Sequence, residues 1–404
     1  MGSSAYNNQK KTLNYSRKRV DKASRDIRHG CEGELRKESI EIIQNFRETH
    51  LYPLMLIRNH LSNPVRKVSK RAIIARRLKR LATIIDKLER PTLDGNQSNA
   101  IRLTRMQDIG GCRVILPNLR QLNKLQDTLQ NSKSVHQIVR TVDYLSQPKD
   151  SGYLGIHLVY SCFAGADEDN EWKGTKIEVQ LRTELQHAWA TSLEIIDTLE
   201  NLKLKTSMDG HPDWRRFFYI AGRLVAHEEQ ACIIPEAQII PLLEELTALE
   251  ELLKVRDLMV KFSVAIRVIT DSDTKMSQDI SNHSGMFLIV MTRESQQDNK
   301  TVLLVHLTPY DTSETDAALR ALEEKELQEE VLIAVLVSAA DVKKLEKAYP
   351  NYLGSTAIFT DFIASKMVTP EKQKQEKEIA EEKTPTPVRK ETDRRSLLQR
   401  LFGM

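Results

Sequence analysis

The stretch "TKIEVQLRT", Thr175 to Thr183, constrains the fold more than any other part of this chain. Ile177, Val179 and Leu181 alternate with Glu178, Gln180 and Arg182, and a period of two is the side-chain repeat of a β-strand. One face of such a strand is apolar while the other carries three hydrogen-bonding side chains. It therefore predicts a sheet with one buried face and one polar face. "GGCRVILP", "HQIVRTVDYL" and "GIHLVYSCFA" have the same strand character. "LRQLNKLQDTLQNS" reads as a helix between them and "ELQHAWATSLEIIDTLEN" as an amphipathic helix after them. Strands interleaved with helices predict an α+β fold, a mixed sheet flanked by helices, and argue against a bundle.

At 404 residues the chain exceeds one typical domain. Residues 1 to about 60 read as helical, with Pro53 marking a break. A strongly basic helix, "RKVSKRAIIARRLKRLATIIDKLER", is expected next. On it Lys79, Thr83 and Lys87 fall at steps of four and so form one stripe, with Arg77 nearby. A hydroxyl and two ammonium groups in a row suit a triphosphate, the alternative being a generic basic surface. From Pro241, the residues Leu242, Leu246, Leu249, Leu253 and Val260 form an apolar seam that predicts an internal helix pair, the alternative being a helix contact in a dimer. "GMFLIVMTRE", "KTVLLVHLTPY", "TDAALRALEEKELQ", "EVLIAVLVSA" and "ADVKKLEKAYPNYL" read as a small ββαβα unit. The expected organisation is a basic helical segment over 1–50, a main domain over 51–232, a connecting helix over 233–270, the small unit over 271–366, and a flexible charged tail over 367–404.

Net charge is only +4, but the first thirty residues concentrate Lys10, Lys11, Arg17, Lys18, Arg19, Lys22, Arg25 and Arg28 against Asp21 and Asp26. Such a helix could contact tRNA or ribosome, or present a solvated face. The four cysteines lie far apart with no C-x-x-C pair, which fits a reducing compartment and argues against a structural zinc site. No apolar run approaches the ~18 residues of a membrane span, and the first residues lack a signal-like apolar core, so a cytoplasmic protein is expected. Walker A, G-x-G-x-x-G, H-E-x-x-H and G-x-S-x-G sequences are all missing.

Asp108 stands just ahead of the strand that carries Arg113, and Glu178 lies on the polar face of "TKIEVQLRT". Two carboxylates on adjacent strands fit a magnesium-nucleotide reaction, because Mg²⁺ takes one or two carboxylates plus phosphate oxygens and water. Four blocks then follow one another in an order that resembles the RelA/SpoT family of alarmone, (p)ppGpp, synthetases. "RRLKRLATIIDK" is similar to the family's R-x-K-x-x-x-S-I-x-x-K with Thr83 for Ser, and "DIGGCRVI" to D-x-x-G-x-R. "KDSGYLGIH" is similar to K-x-x-G-Y-x-x-x-H, and "IEVQLRTELQHAWA" to E-x-Q-x-R-T followed by an aromatic. The resemblance spans roughly residues 50 to 200.

What it implies is a nucleotidyltransferase-like synthetase that moves pyrophosphate from ATP to the ribose 3′-hydroxyl of GDP or GTP. Arg77 and Arg113 would flank the adenine, and Lys79, Thr83 and Lys87 would hold the donor phosphates. Asp108 and Glu178 would bind Mg²⁺, with Glu178 activating the hydroxyl. Tyr153 would stack on guanine, Lys149 and His157 would steady acceptor phosphates, and Gln180 and Arg182 would complete the acceptor wall. Two departures fall on the acceptor side. Leu154 and Gly155 stand where the family commonly has Arg or Gln and then Ser, and Val142 where a Lys often precedes Asp-Tyr. The alternatives are a toxin or phage-defence effector that pyrophosphorylates the tRNA 3′ end, and a non-catalytic nucleotide sensor. A homo-oligomer is also compatible. The His-Asp pair of the family's hydrolase domain does not occur in this sequence.

Overall fold

A computed structural model of the chain describes residues 9–89, 102–146, 149–167, 170–199, 211–260, 285–295, 301–326, 328, 331–339 and 357–368. Three helices come first: α1 (Arg17–Arg28), α2 (Gly33–Glu48) and α3 (Leu51–Val68). The Ser16 side chain accepts the Arg19 backbone N–H and caps α1, which buries Val20, Ala23, Ser24 and Ile27 along one face. The expected break near Pro53 falls at Thr49 and His50, between α2 and α3. Pro53 itself sits in the first turn of α3, where its missing N–H costs no helical hydrogen bond.

The basic helix expected over this region is not a single helix. Ile73–Leu78 form strand β1, Lys79 and Arg80 connect, and only Leu81–Glu89 form a helix, α4. Ile73 and Ile74 are β-branched, and β1 pairs along its whole length with the next strand, so sheet pairing outweighs the helix preference of the Arg, Lys and Leu residues. Lys79 therefore precedes the helix that carries Thr83 and Lys87, and the three do not form a helical stripe.

Strands β2 (Gly110–Leu116), β3 (Gln137–Asp143), β4 (Ile156–Ser161) and β5 (Lys176–Thr183) complete a five-stranded sheet in the order β1-β2-β5-β4-β3. β2 and β5 run parallel and every other pair is antiparallel, so the α+β, mixed-sheet expectation holds. Helix α5 (Leu119–Gln130) links β2 to β3. Cys112, Val114, Ile177, Val179, Leu181, Leu158 and Tyr160 point to one face and are buried with residues of α3 and α5. Each such apolar side chain contributes about 1.5–3 kcal/mol by leaving water. The opposite face carries Arg77, Arg113, Glu178, Gln180 and His157.

Helices α6 (Glu184–Leu199), α7 (Pro212–Glu228) and α8 (Glu236–Leu253) extend the main core. The apolar seam is used internally: Leu242, Leu246 and Leu249 are buried, and α8 packs on α7. The helix stops at Lys254, whose φ of 52° is left-handed, and Val260 stays 54% exposed. A second core forms from Val20, Ile27, Ile42 and Phe46 of α1 and α2, Ile84 and Leu88 of α4, and Leu103, Met106 and Ile109 ahead of β2.

In the small unit, β6 (Gly285–Ser295) is central, with β7 (Thr301–Tyr310) and β8 (Val331–Ala339) antiparallel on either side and α9 (Thr315–Glu326) against them. Its edge strand β8 lies beside β1. The closing helix read at "ADVKKLEKAYPNYL" and the tail beyond residue 368 lie outside the described residues. Helix α10 (Ala357–Lys366) packs on α6 and α8 of the main core rather than on the small sheet. Phe359 of α10 stacks parallel to Phe218 of α7 at 6.2 Å, and Lys366 Nζ pairs with Glu228 at 2.6 Å. Among the described residues no helix is long and apolar enough to cross a membrane.

Candidate functional site

The register of the sheet lines up the polar face. Arg77 lies opposite Gly111, which lies opposite Glu178, while Arg113 lies opposite Gln180, which lies opposite His157. Because Gly111 has no side chain, nothing stands between Arg77 and Glu178 on their row. Asp108 precedes β2 and comes close enough to Glu178 to disfavour its negative charge.

Asp108 is held by both predicted phosphate lysines. Lys79 Nζ donates to its Oδ2 at 2.9 Å, and Lys87 Nζ reaches both carboxylate oxygens at 3.2 Å. Burial works to raise the Asp108 carboxyl, but the two ammonium groups outweigh it and keep the group below its ordinary range. Burial lowers the Lys79 amine, opposed by Asp108. Thr83 is half-buried one turn before Lys87 on α4. The N-terminal helices fix this corner: Arg47 Nε donates to the Lys79 carbonyl at 2.7 Å, Arg28 Nε to the Leu88 carbonyl at 3.2 Å, and Asp21 accepts from Thr104 Oγ1 at 2.8 Å.

Glu178 anchors a closed ring of five side chains. Its Oε1 meets His157 Nδ1 at 2.8 Å, His157 Nε2 meets the Tyr153 hydroxyl at 2.5 Å, and Arg182 Nη2 donates to that hydroxyl at 2.7 Å. Arg182 Nη2 also donates to Gln180 Oε1 at 3.2 Å, and Gln180 Nε2 donates to Glu178 Oε2 at 2.7 Å. One proton per link satisfies the ring: the imidazole proton on Nδ1 faces the carboxylate, and the tyrosine proton faces Nε2. Burial pushes Glu178 up, yet the His157 and Gln180 hydrogen bonds bring it below the usual carboxylate range. Burial raises the Tyr153 hydroxyl, and Arg182 opposes this.

Lys149 places its ammonium over the Tyr144 ring at 4.2 Å and the Tyr153 ring at 5.1 Å. Tyr144 packs edge-on against Tyr153 and His157, so it belongs to the site although the sequence singled out only the Asp143-Tyr144 pair as a landmark. Gly152, with φ at 77°, is pressed onto α7: a Cβ there would lie 2.7 Å from the Phe218 carbonyl, and one on Gly222 would lie 2.1 Å from the Gly152 oxygen. The Leu154–Gly155 departure from the family pattern has a structural cause. Leu154 is buried in the main core, and Gly155 takes φ of 136° where a Cβ would press the Leu181 carbonyl and Arg182.

All twelve residues proposed from the sequence for the site are described. Asp108, Lys79 and Lys87 form one cluster, and Glu178, Gln180, Arg182, His157, Tyr153 and Lys149 a second. Arg77 and Arg113 lie on β1 and β2 of the same face, and Thr83 sits beside the first cluster. Among the described residues no group of three or more His, Cys, Asp or Glu could hold a metal ion alone. The Asp108–Glu178 pair still fits Mg²⁺, which needs only one or two carboxylates when phosphate oxygens and water complete its shell.

Residues 76–195, which hold the whole five-stranded sheet beyond the start of β1 and its polar face, match the family model described as "Region found in RelA / SpoT proteins". Two curated relatives come from Bacillus subtilis (strain 168). GTP pyrophosphokinase YjbM is 29% identical over 117 residues, covering 28% of this chain and 51% of that protein. GTP pyrophosphokinase YwaC is 26% identical over 132 residues, covering 33% of this chain and 58% of that protein. The chain thus spans little more than half the length of the curated relatives it matches. Among solved structures, small alarmone synthetase 2 from Bacillus subtilis is 20% identical with a TM-score of 0.37, covering 46% of this chain and 94% of that one. Small alarmone synthetase 1 of the same species, bound to its product pppGpp, is 22% identical with a TM-score of 0.30, covering 39% and 73%.

Proposed function

We propose that the chain is a Mg²⁺-dependent pyrophosphotransferase of the GTP diphosphokinase type, moving the β,γ-pyrophosphate of ATP to the 3′-hydroxyl of GDP or GTP. The observation that carries this reading is the meeting of two half-sites on one sheet face. One is an acidic residue held by two lysines, and the other is a carboxylate oriented by a closed hydrogen-bonded ring. The RelA/SpoT match and the names of the two curated relatives support the same reaction class.

In this reading ATP enters with its adenine between Arg77 and Arg113, which can stack by cation–π contact. Its phosphates draw Lys79 and Lys87 away from Asp108, with Thr83 adding a hydroxyl, so the lysines exchange one anion for another. Asp108 and Glu178 would hold Mg²⁺, which would supply charge neutralisation of the phosphates. Tyr153 stacks on guanine, with Lys149 on the acceptor phosphates. Arg182, whose Nε is buried with no hydrogen bond, and Gln180 form the wall behind it. His157, expected with Lys149 on the acceptor phosphates, has both ring nitrogens engaged in the ring and is instead assigned to orienting Tyr153 and Glu178. The 3′-oxygen forms its bond to the β-phosphorus as the bond from that phosphorus to the bridging α,β-oxygen breaks. AMP leaves, and the hydroxyl proton passes to the Glu178 carboxylate, which is ionised at neutral pH.

The test is incubation of the protein with labelled ATP plus GDP, GTP or bulk tRNA, resolved by thin-layer chromatography. Label in a guanosine tetra- or pentaphosphate supports the proposal, and label retained on tRNA replaces its acceptor. ATP binding without transfer to any of them leaves a sensor. Glu178→Gln should lower transfer by at least 10²-fold with ATP affinity changed little. Near-wild-type turnover in that variant would remove Glu178 from the chemistry.

A further inference from the structure

A cavity of about 340 Å³, lined by none of the twelve residues of the proposed site, is walled by the segment ahead of α1, the α2–α3 junction, and the loops that lead into Asp108 and into β5. Its volume is within the range of small-ligand sites, roughly 300–1,000 Å³. Four cationic side chains line it, Lys11, Arg17, Arg105 and Lys176, against a single carboxylate, Glu171. Lys176 Nζ is satisfied by Ser161 Oγ at 2.8 Å. Arg17 and Arg105 have no ion pair among the described residues, and Arg17 also disfavours protonation of His50 in the same wall. Like charges gathered around a concavity raise one another's energy, and an anion placed among them offsets that cost. The remaining lining is mixed: the half-buried indole of Trp172 supplies a flat apolar surface, Phe46 and Met106 back it from the second core, and Thr104 and Gln107 are polar.

Cations and an indole ring in one lining match a ligand that joins a phosphate to a planar ring. We propose that this cavity is a second binding site that takes a nucleoside phosphate. The volume suits a mononucleotide rather than a polynucleotide. Gln107 of the lining is adjacent to Asp108, and Lys176 shares a strand face with Glu178, so an occupant touches both segments that present the carboxylates. The proposal does not depend on the transfer reaction.

Trp172 gives a direct readout, since the other two tryptophans, Trp189 and Trp214, are buried in the main core. The full-length Glu178→Gln protein, in which transfer is slowed at least 10²-fold if the reaction above is right, is titrated with GDP and separately with ADP while tryptophan emission is followed. At least one should give a saturable change that is lost in Trp172→Phe and that needs at least tenfold more nucleotide after Arg17→Ala with Arg105→Ala. Lys79→Ala with Lys87→Ala should leave that midpoint within twofold. No response to either nucleotide, or a response moved by the Lys79 and Lys87 changes and not by the arginines, overturns the site. Inorganic pyrophosphate competing as well as the nucleotide would show that no ring is recognised, and a response to bulk tRNA alone would show the wrong ligand class; either outcome overturns the assignment. A loss of transfer activity with these responses intact would count against the proposed reaction and not against the cavity.

Discussion

His50 stands at the junction of α2 and α3 with 3% of its surface exposed, and burial depresses its imidazole to about 4, although its Nδ1 contacts the Phe46 carbonyl at 3.0 Å. An unfolded histidine titrates near 6.5. As pH falls from about 6.5 toward about 4, the unfolded chain takes up a proton that the folded chain refuses, so stability is lost over that window. The full gap is worth about 3 kcal/mol. Asp108 and Glu178 add a lower window of the same sign, because a depressed carboxylate stabilises above its unfolded value and loses that contribution as pH falls through its folded one. Denaturant melts at pH 7 and pH 5 should show the loss, and His50→Gln should flatten the slope between them. An unchanged slope would mean that the imidazole is hydrated in the native state.

At the scale of elements, the acceptor loop depends on a glycine outside it. Gly222 lets α7 come against the Gly152 backbone, so Gly222→Ala should destabilise the protein by about 1–3 kcal/mol and raise hydrogen exchange over residues 149–155. Native exchange in that loop would show that the backbone shifts to accommodate the methyl. This dependence was not legible in the sequence, because Gly222 lies on an ordinary amphipathic helix and its partner is 70 residues away. The strands were legible, since Ile177, Val179 and Leu181 can be satisfied by only one kind of layer. β1 was not, because "AIIARRL" is short and rich in helix-forming residues, and only pairing with β2 makes it a strand. For the site, the type and order of residues identified the participants. Their mutual contacts could not be read, because the ring from Glu178 to Arg182 closes through β4, β5 and the loop before β4 together.

For the whole molecule, the main core is completed by a helix that arrives after the small sheet. Phe359 and Ile363 of α10 are fully buried among residues of the main domain, and Phe359 backs Phe218, whose carbonyl accepts the Trp189 indole N–H at 3.0 Å. Phe359→Ala should cost about 3–5 kcal/mol, measured by denaturant unfolding followed at the tryptophans. A cost below about 1 kcal/mol would mean that α10 is an optional addition to the core. The N-terminal helices play a similar part at the opposite side, where the second core and Arg47 set the position of the segment that bears Lys79.

Helix α10 also sets a schedule for the ribosome. Helix α7 ends at Glu228, and α10 begins at Ala357. At elongation rates of about 5–20 residues per second, roughly seven to twenty-eight seconds pass between the synthesis of Phe218 and that of its stacking partner Phe359. Throughout that interval the nascent main domain presents an unfilled apolar socket behind its acceptor loop. Synthesis that stops within the small sheet would therefore leave a polypeptide holding every proposed catalytic residue but lacking the last piece of its interior.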